Sequence, residues 1–178
     1  MTGRKTISCF IFVARSDASY IATTLPPLLK MAAKANCTTR VLVDGTNPVG
    51  VLGETLPQAD LSKVLGSLEE MKDEHSFEIE VITPQPDDVR KLSKIHLGKP
   101  HMETHCFRGY PIHGSIHQFV MGETDYILHF DCDMLFHEQE GFSWINSGID
   151  LMEANPEILC VLPRGGPPTV NNTINQGT

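Results

Sequence analysis

Five short apolar runs punctuate the chain: Ile7–Ala14, Arg40–Asp44, Phe77–Thr83, Tyr126–Phe130 and Ile158–Leu162. They are rich in β-branched and aromatic residues and mostly lack polar alternation, as expected of strands covered on both faces. Between them the spacing becomes helical. Ala18–Ala35 places Ile21, Leu25, Leu28, Leu29 and Ala32 on one face, and Pro26 and Pro27 are expected to fall early in that helix or to kink it. Leu61–Lys72 repeats Leu61, Val64, Leu65, Leu68 and Met71. Pro111–Met121 and Trp144–Ala154 predict two more helices, the second stopped by Asn155-Pro156. Thr46–Pro57 and Thr83–Asp88 read as turn-rich connections, and the polar stretch Gly165–Thr178 carries no further periodic element.

Strands that alternate with helices predict an α/β fold, a mainly parallel sheet flanked by helices and joined by right-handed βαβ crossovers. Ligands of such sheets bind beyond the carboxyl ends of the strands. The chemistry is therefore expected in the loops that follow Ala14, Asp44, Phe130 and Leu162.

Composition narrows the function. The 178 residues suit one domain with a real core, and 40% hydrophobic with 20% charged residues is an ordinary globular balance. A formal charge of −8 and a pI near 5.4 argue against a nucleic-acid partner, whose phosphates attract clustered Lys and Arg. They leave open a phosphate-bearing small ligand, because one divalent metal can supply the local positive charge. Cys9, Cys37, Cys106, Cys132 and Cys160 form no CxxC pair and read as reduced thiols of a cytosolic-type compartment. The apolar run from Ile7 is stopped by Arg15 and Asp17, so it reads as a first strand rather than a signal peptide. No run approaches the roughly 20 apolar residues of a membrane span. The location expected is cytoplasmic, or peripheral to a membrane.

The segment TDYILHFDCDMLFHE sets Asp131 and Asp133 directly after an apolar strand. If the chain stays extended through this triplet, both carboxylates point to one side, and Cys132 faces the other as a packing residue. Two carboxylates at a strand end suit a hard cation, Mn2+ or Mg2+, with phosphate oxygens and water completing its shell.

Here the chain resembles the GT-A-fold glycosyltransferases, in particular their large family 2-like group. YILHFDCDMLF resembles the DxD strand of that family, FIFVARSD its first strand and nucleotide-contacting loop, and TTRVLVDGT its second strand ending in an acid. IHGSIHQFVMGETDYILHFDCD resembles the helix, small turn and strand that lead to the metal, and the likeness runs over about residues 6–165. It implies a Rossmann-like GT-A domain that transfers a sugar from a nucleoside diphosphate sugar to a hydroxyl acceptor, saccharide or lipid-linked. Asp44 would accept a hydrogen bond from the base, and Ala14, Arg15 and Asp17 would line the nucleotide pocket. Asp131 would sit near the ribose or the metal, and Asp133 would ligate the metal. Asp44-Gly45 is equally a turn signal, and Arg15 and Asp17 equally suit a loop or a helix N-cap. Arg108 precedes the helix leading to the DxD strand, where it could reach a phosphate or lie on the surface.

Two departures from that pattern stand out. The tract His96–His117 replaces a basic, Gly/Asn-containing stretch common in the family. The general base of inverting members lies downstream of the DxD, yet only 45 residues follow Asp133. Asp150 and Glu153 are expected on the Trp144–Ala154 helix, so no catalytic base stands out. The expectation is a single nucleotide-sugar-binding domain over 1–178 that lacks part of the acceptor-binding half.

Seven of the eight histidines fall between His96 and His137. His101/His105 and His113/His117 have the i,i+4 spacing of a zinc pair, but Pro100 and Pro111 interrupt the region. Loop or surface histidines are expected there, and His137 is a candidate to approach the metal. A haloacid-dehalogenase-type phosphatase also opens on a strand and DxD, with Asp131 as nucleophile and Asp133 as general acid. That motif normally continues with Gly and Thr or Val, where this chain has Met134 and Leu135. A nucleotidyltransferase is disfavoured because VARSDASY lacks a Gly-rich loop. A non-catalytic nucleotide-sugar-fold module is the remaining alternative.

Overall fold

A computed structural model describes residues 5–47, 49–55, 60–100 and 103–163. The chain divides into two compact units, Met1–Phe136 and His137–Thr178.

The first unit is α/β. Its strands are β1 (Ile7–Val13), β2 (Thr38–Asp44), β3 (Glu78–Ile82) and β4 (Tyr126–Asp131). All three pairings are parallel, in the order β3-β2-β1-β4, with Phe12 level with Leu42 on one side and Asp131 on the other. Four of the five expected strands are therefore present. Phe10, Ile11, Val13, Val41, Leu42, Val43 and Phe130 are all but fully buried. Each contributes on the order of 1.5–3 kcal/mol by leaving water, which makes this paired centre the seat of the core.

The first crossover helix, α1 (Ile21–Lys34), buries Ile21, Leu25, Leu28, Leu29, Met31 and Ala32 and starts three residues later than its periodicity predicts. A separate 3-10 turn, Arg15–Ser19, occupies the intervening space. Pro26 and Pro27 lie inside the helix. The carbonyls they leave without a donor belong to Ala22 and Thr23, which are exposed, so water can serve them. Asn36 ends the helix with φ 58°, and the amide of Cys37 returns to the Ala32 carbonyl at 3.0 Å, a Schellman closure that Asn tolerates better than most residues.

Two helices lie where turns were expected. α2 (Gly50–Thr55) is a short helix within Thr46–Pro57, and α4 (Pro86–Leu97) begins inside Thr83–Asp88. Between them, α3 (Leu61–Met71) is capped by Asp60, whose side chain accepts from the Ser62 amide. The α4 helix has Pro at its first turn, Asp87 and Asp88 behind it, Lys94 and His96 in its last turn and Gly98 at φ 70°, a complete set of boundary signals.

The helix α5 (Ile112–Met121) approaches the sheet closely, because a Cβ on Gly114 would overlap the Phe12 ring. Phe10, Leu42 and Ile82 form the core of that face, with Phe12, Met121 and Ile127 packed against it.

In the second unit, α6 (Trp144–Ala154) starts at Ser143, whose side chain accepts from the Asn146 amide. Asp150 and Glu153 lie on it as expected, both exposed. The fifth strand, expected over Ile158–Leu162, is not formed. A strand needs a ladder partner, and the described residues of this unit contain none; Leu159 and Leu162 are 93% and 86% exposed. The loop expected to carry chemistry after Leu162, the polar stretch Gly165–Thr178 and His101 of the first histidine pair lie outside the described residues, apart from Pro163. No helix of the described residues is long and apolar enough to cross a membrane.

Candidate functional site

The strand order reverses direction at β1: the chain runs from β1 outward through β2 to β3, then returns to place β4 on the other side. Such a reversal opens a crevice at the carboxyl ends of the strands on either side of it. A cleft of about 360 Å³ lies there, lined by Ala14, Arg15, Asp17, Asp44, Asp131 and Asp133 among others. The six residues that the family resemblance implies for the site thus border one cavity, whereas the candidates Arg108 and His137 do not line it; its size is within the usual range of roughly 300–1,000 Å³ for small-molecule sites. Sequence reasoning did not single out its further lining residues Tyr20, Thr46, Leu52 and Tyr110, and weighed His105 only as half of a zinc pair.

The DxD segment does not stay extended. The strand ends at Asp131, and the Met134 amide donates to the Asp131 carbonyl at 3.1 Å, which closes a turn over Cys132 and Asp133. Asp131 and Asp133 are exposed and both face the cleft, whereas Cys132 is buried. The two acids therefore meet the same space through a turn rather than through strand alternation. The Nε2 of His129 lies 3.5 Å from Asp131 Oδ1, and that hydrogen bond holds the Asp131 carboxyl below the usual carboxylate range against the opposing effect of partial burial. Strand periodicity places the two residues on one face, because they are separated by two positions.

Cys132 does more than pack. Its thiol donates to Asp17 Oδ2 at 3.0 Å, and burial, reinforced by that carboxylate, pushes its pKa far up. Asp17 is itself buried, and it accepts from the Ala14 amide at 2.7 Å, the Ser16 hydroxyl at 3.0 Å and the Tyr20 hydroxyl at 2.6 Å. An ionised carboxylate offers about four lone-pair sites, and the four donors divide two to each oxygen. Asp17 is thus at the wall of the cleft with its hydrogen-bonding capacity filled from within the protein.

Asp44 is arranged differently. The amide and hydroxyl of Thr46 donate to its Oδ1 at 2.9 and 2.6 Å, an Asx turn, and Oδ2 lies 3.3 Å from His105 Nε2. Three donors on about four sites leave Oδ2 able to accept one more. The turn signal and a ligand contact are therefore compatible at this residue. Arg15 donates through Nη1 to Asn47 Oδ1 at 2.7 Å and through Nη2 to the Gly45 carbonyl, tying the loop after β1 to the loop after β2.

The histidines expected in loops or on the surface include two that are buried, His105 and His113. Burial of His113 lowers its pKa, helped by the neighbouring His117, whose ring stacks 5.7 Å away. His117 pairs with Glu80 at 3.0 Å. His105 sits in a hairpin over 104–112, closed by Cys106 amide to Tyr110 carbonyl at 2.9 Å and Ile112 amide to Thr104 carbonyl at 2.9 Å. This hairpin brings Gly109, Tyr110 and Pro111 to the cleft, and Arg108 stands exposed on it over the Phe107 ring. His137 is exposed at the start of the second unit.

Among the described residues, no group of three or more His, Cys, Asp or Glu side chains could hold a metal by itself. His113 and His117 therefore belong to no such group among the described residues, and Asp131 with Asp133 offers two carboxylates, an incomplete set for any cation. No protein-family model, no curated protein and no solved structure matches the chain.

Proposed function

We propose that the cleft binds a nucleoside diphosphate sugar together with Mn2+ or Mg2+, and that the chain is the donor-binding part of a GT-A-type, family 2-like glycosyltransferase. The observation that carries this is electrostatic. Carboxylates of Asp17, Asp44, Asp131 and Asp133 border the cleft, with Arg15 as the one lining Lys or Arg among the described residues. A diphosphate entering alone would meet strong like-charge repulsion, whereas a diphosphate entering with a divalent ion would not.

The chain's own groups divide the work. Asp44 has one acceptor site left for an N–H of the base. The Ala14–Tyr20 loop, braced by Asp17 and Arg15, walls the nucleoside side. Asp131 and Asp133 would be the oxygen donors for the cation, with diphosphate oxygens and water filling the positions that two carboxylates leave open. Bound there, the ion supplies neutralisation of the charge that develops on the departing diphosphate. The partner in transfer is a hydroxyl acceptor, saccharide or lipid-linked, and no described residue is assigned as its general base.

Calorimetric titration of UDP and GDP, with and without Mn2+, on wild type and on Asp133→Ala tests the assignment. Metal-dependent binding of either nucleotide that disappears in the variant is the result expected. A folded wild-type chain that binds neither nucleotide removes the donor-site assignment and moves the phosphatase and non-catalytic alternatives forward.

A further inference from the structure

We propose that Asp17 is a positioning residue for the metal-binding turn, acting through the thiol of Cys132; this rests on the assignment of the cleft as a metal and nucleotide site. Asp17 and Cys132 are 115 residues apart in sequence, and the contact between them is buried. Among the described residues it is a side-chain hydrogen bond that ties the loop after β1 directly to the turn that carries Asp131 and Asp133.

Cys132 is the middle residue of that turn. Its bond to Asp17, together with the Met134 amide bond to the Asp131 carbonyl, ties down the backbone between the two flanking carboxylates. Divalent ions with oxygen ligands tolerate little misplacement, Mg2+ least, so the separation of the two carboxylates decides whether they can share one ion. Partners that orient metal ligands without touching the metal are worth about 10–100-fold in affinity in characterised sites.

The same carboxylate sets the other wall of the cleft. Through the Ala14 amide it closes the 3-10 turn, and through Tyr20 it fixes the start of α1. One buried group thereby holds the nucleoside wall and the metal turn at a fixed mutual distance. Because its four acceptor sites are filled, Asp17 has none to offer a ligand, and its contribution to binding is made entirely through the groups it holds.

The test is Mn2+ titration in the presence of saturating UDP or GDP on wild type, Cys132→Ser and Cys132→Ala, with nucleotide affinity in the absence of metal and circular dichroism measured alongside. Ser keeps a donor toward Asp17; Ala keeps the fold's small side chain and removes the donor. The expected result is Mn2+ affinity for Cys132→Ser within about threefold of wild type and at least about tenfold weaker for Cys132→Ala, with the same circular dichroism in all three. Equal Mn2+ affinity in wild type and Cys132→Ala overturns the positioning role and leaves the donor-site assignment standing. A Cys132→Ser variant as weak as Cys132→Ala overturns it also, because sulfur packing would then be what matters. A wild-type chain without metal-dependent nucleotide binding removes the donor-site assignment, and the positioning role with it.

Discussion

The Nε2 of His105 lies 3.3 Å from Asp44 Oδ2 and 3.0 Å from the Thr46 hydroxyl, while the Thr104 hydroxyl meets Nδ1 at 2.7 Å. With Nε2 as donor toward Asp44 and Nδ1 as acceptor from Thr104, every contact has one donor and one acceptor. This small network joins the 104–112 hairpin to the end of β2, and so joins the Tyr110 side of the cleft to the residue assigned to the base.

Removing the ring by His105→Ala takes away a buried hydrogen bond to a carboxylate, worth about 1.5–3 kcal/mol. The hairpin should open more often, and trypsin should cut after Arg108, at its exposed tip, several-fold faster than in wild type. A cleavage rate after Arg108 equal to that of wild type would show that the clamp does not hold the hairpin.

Acid should destabilise the fold in a range set by His113. Its pKa is lowered in the folded chain by burial and by His117, so between an unfolded value near 6.5 and the lower folded one the unfolded state binds more protons. The stabilisation from keeping this ring neutral is complete above about pH 6.5 and is lost as pH falls through that window. Thermal melts from pH 7.5 to 5 should show a falling midpoint, and His113→Leu should flatten that part of the curve. An unchanged slope in the variant would assign the acid sensitivity to other groups.

The thiols should react in a definite order. Desolvation raises the Cys106 thiol, but hydrogen bonds from the backbone N–H groups of Arg108, Tyr110 and Gly109 together outweigh it and hold its pKa below the ordinary value. Burial pushes Cys37 up to about 11 and raises Cys9 and Cys132 as well. Thiolate is the reactive form, so a disulfide reagent near neutral pH should label Cys106 and exposed Cys160 rapidly and reach Cys9 and Cys132 only on unfolding. Mass spectrometry of partially labelled protein reads the order directly; early labelling of Cys132 would contradict its burial against Asp17.

Gly114→Ala should cost about 1–3 kcal/mol, the usual range for overpacking a filled interface. The new methyl overlaps the Phe12 ring, and Phe12 also lines the cleft, so the melting temperature and nucleotide affinity should fall together. A Gly114→Ala protein as stable as wild type would mean that α5 shifts outward at little cost.

The strands and most helices were legible because buried elements carry their burial in local pattern. β1, β2, β3 and β4 all coincide with apolar runs, and the loops after β1, β2 and β4 do converge on one cleft. α4 was hidden by its polar composition, although Pro86, Asp87, Asp88 and Gly98 mark both its ends. Ile158–Leu162 misled in the opposite way: a short apolar run states what a segment can pair with, and a strand forms only where a partner exists. At the site, Asp44, Asp131 and Asp133 could be picked by position, since acids at strand ends are visible in one dimension. The saturation of Asp17 and its bond to Cys132 could not, because that contact joins residues 115 apart. His129 could have been found from its two-residue spacing to Asp131 along one strand.

The place of β4 in the sheet has a consequence for how the molecule is made. Its pairing with β1 is sealed by Asp125, which accepts from the amide and hydroxyl of Thr6 across 119 residues of chain. β1, β2 and β3 are complete by residue 82 and can pair as they are synthesised, while β1 waits with one edge open. Closing so long a loop is entropically costly and slow relative to local pairing. The half of the cleft that carries Asp131 and Asp133 is thus the last to assemble, and until it arrives the open edge of β1 is the place where a nascent chain is most exposed to pairing with a neighbour.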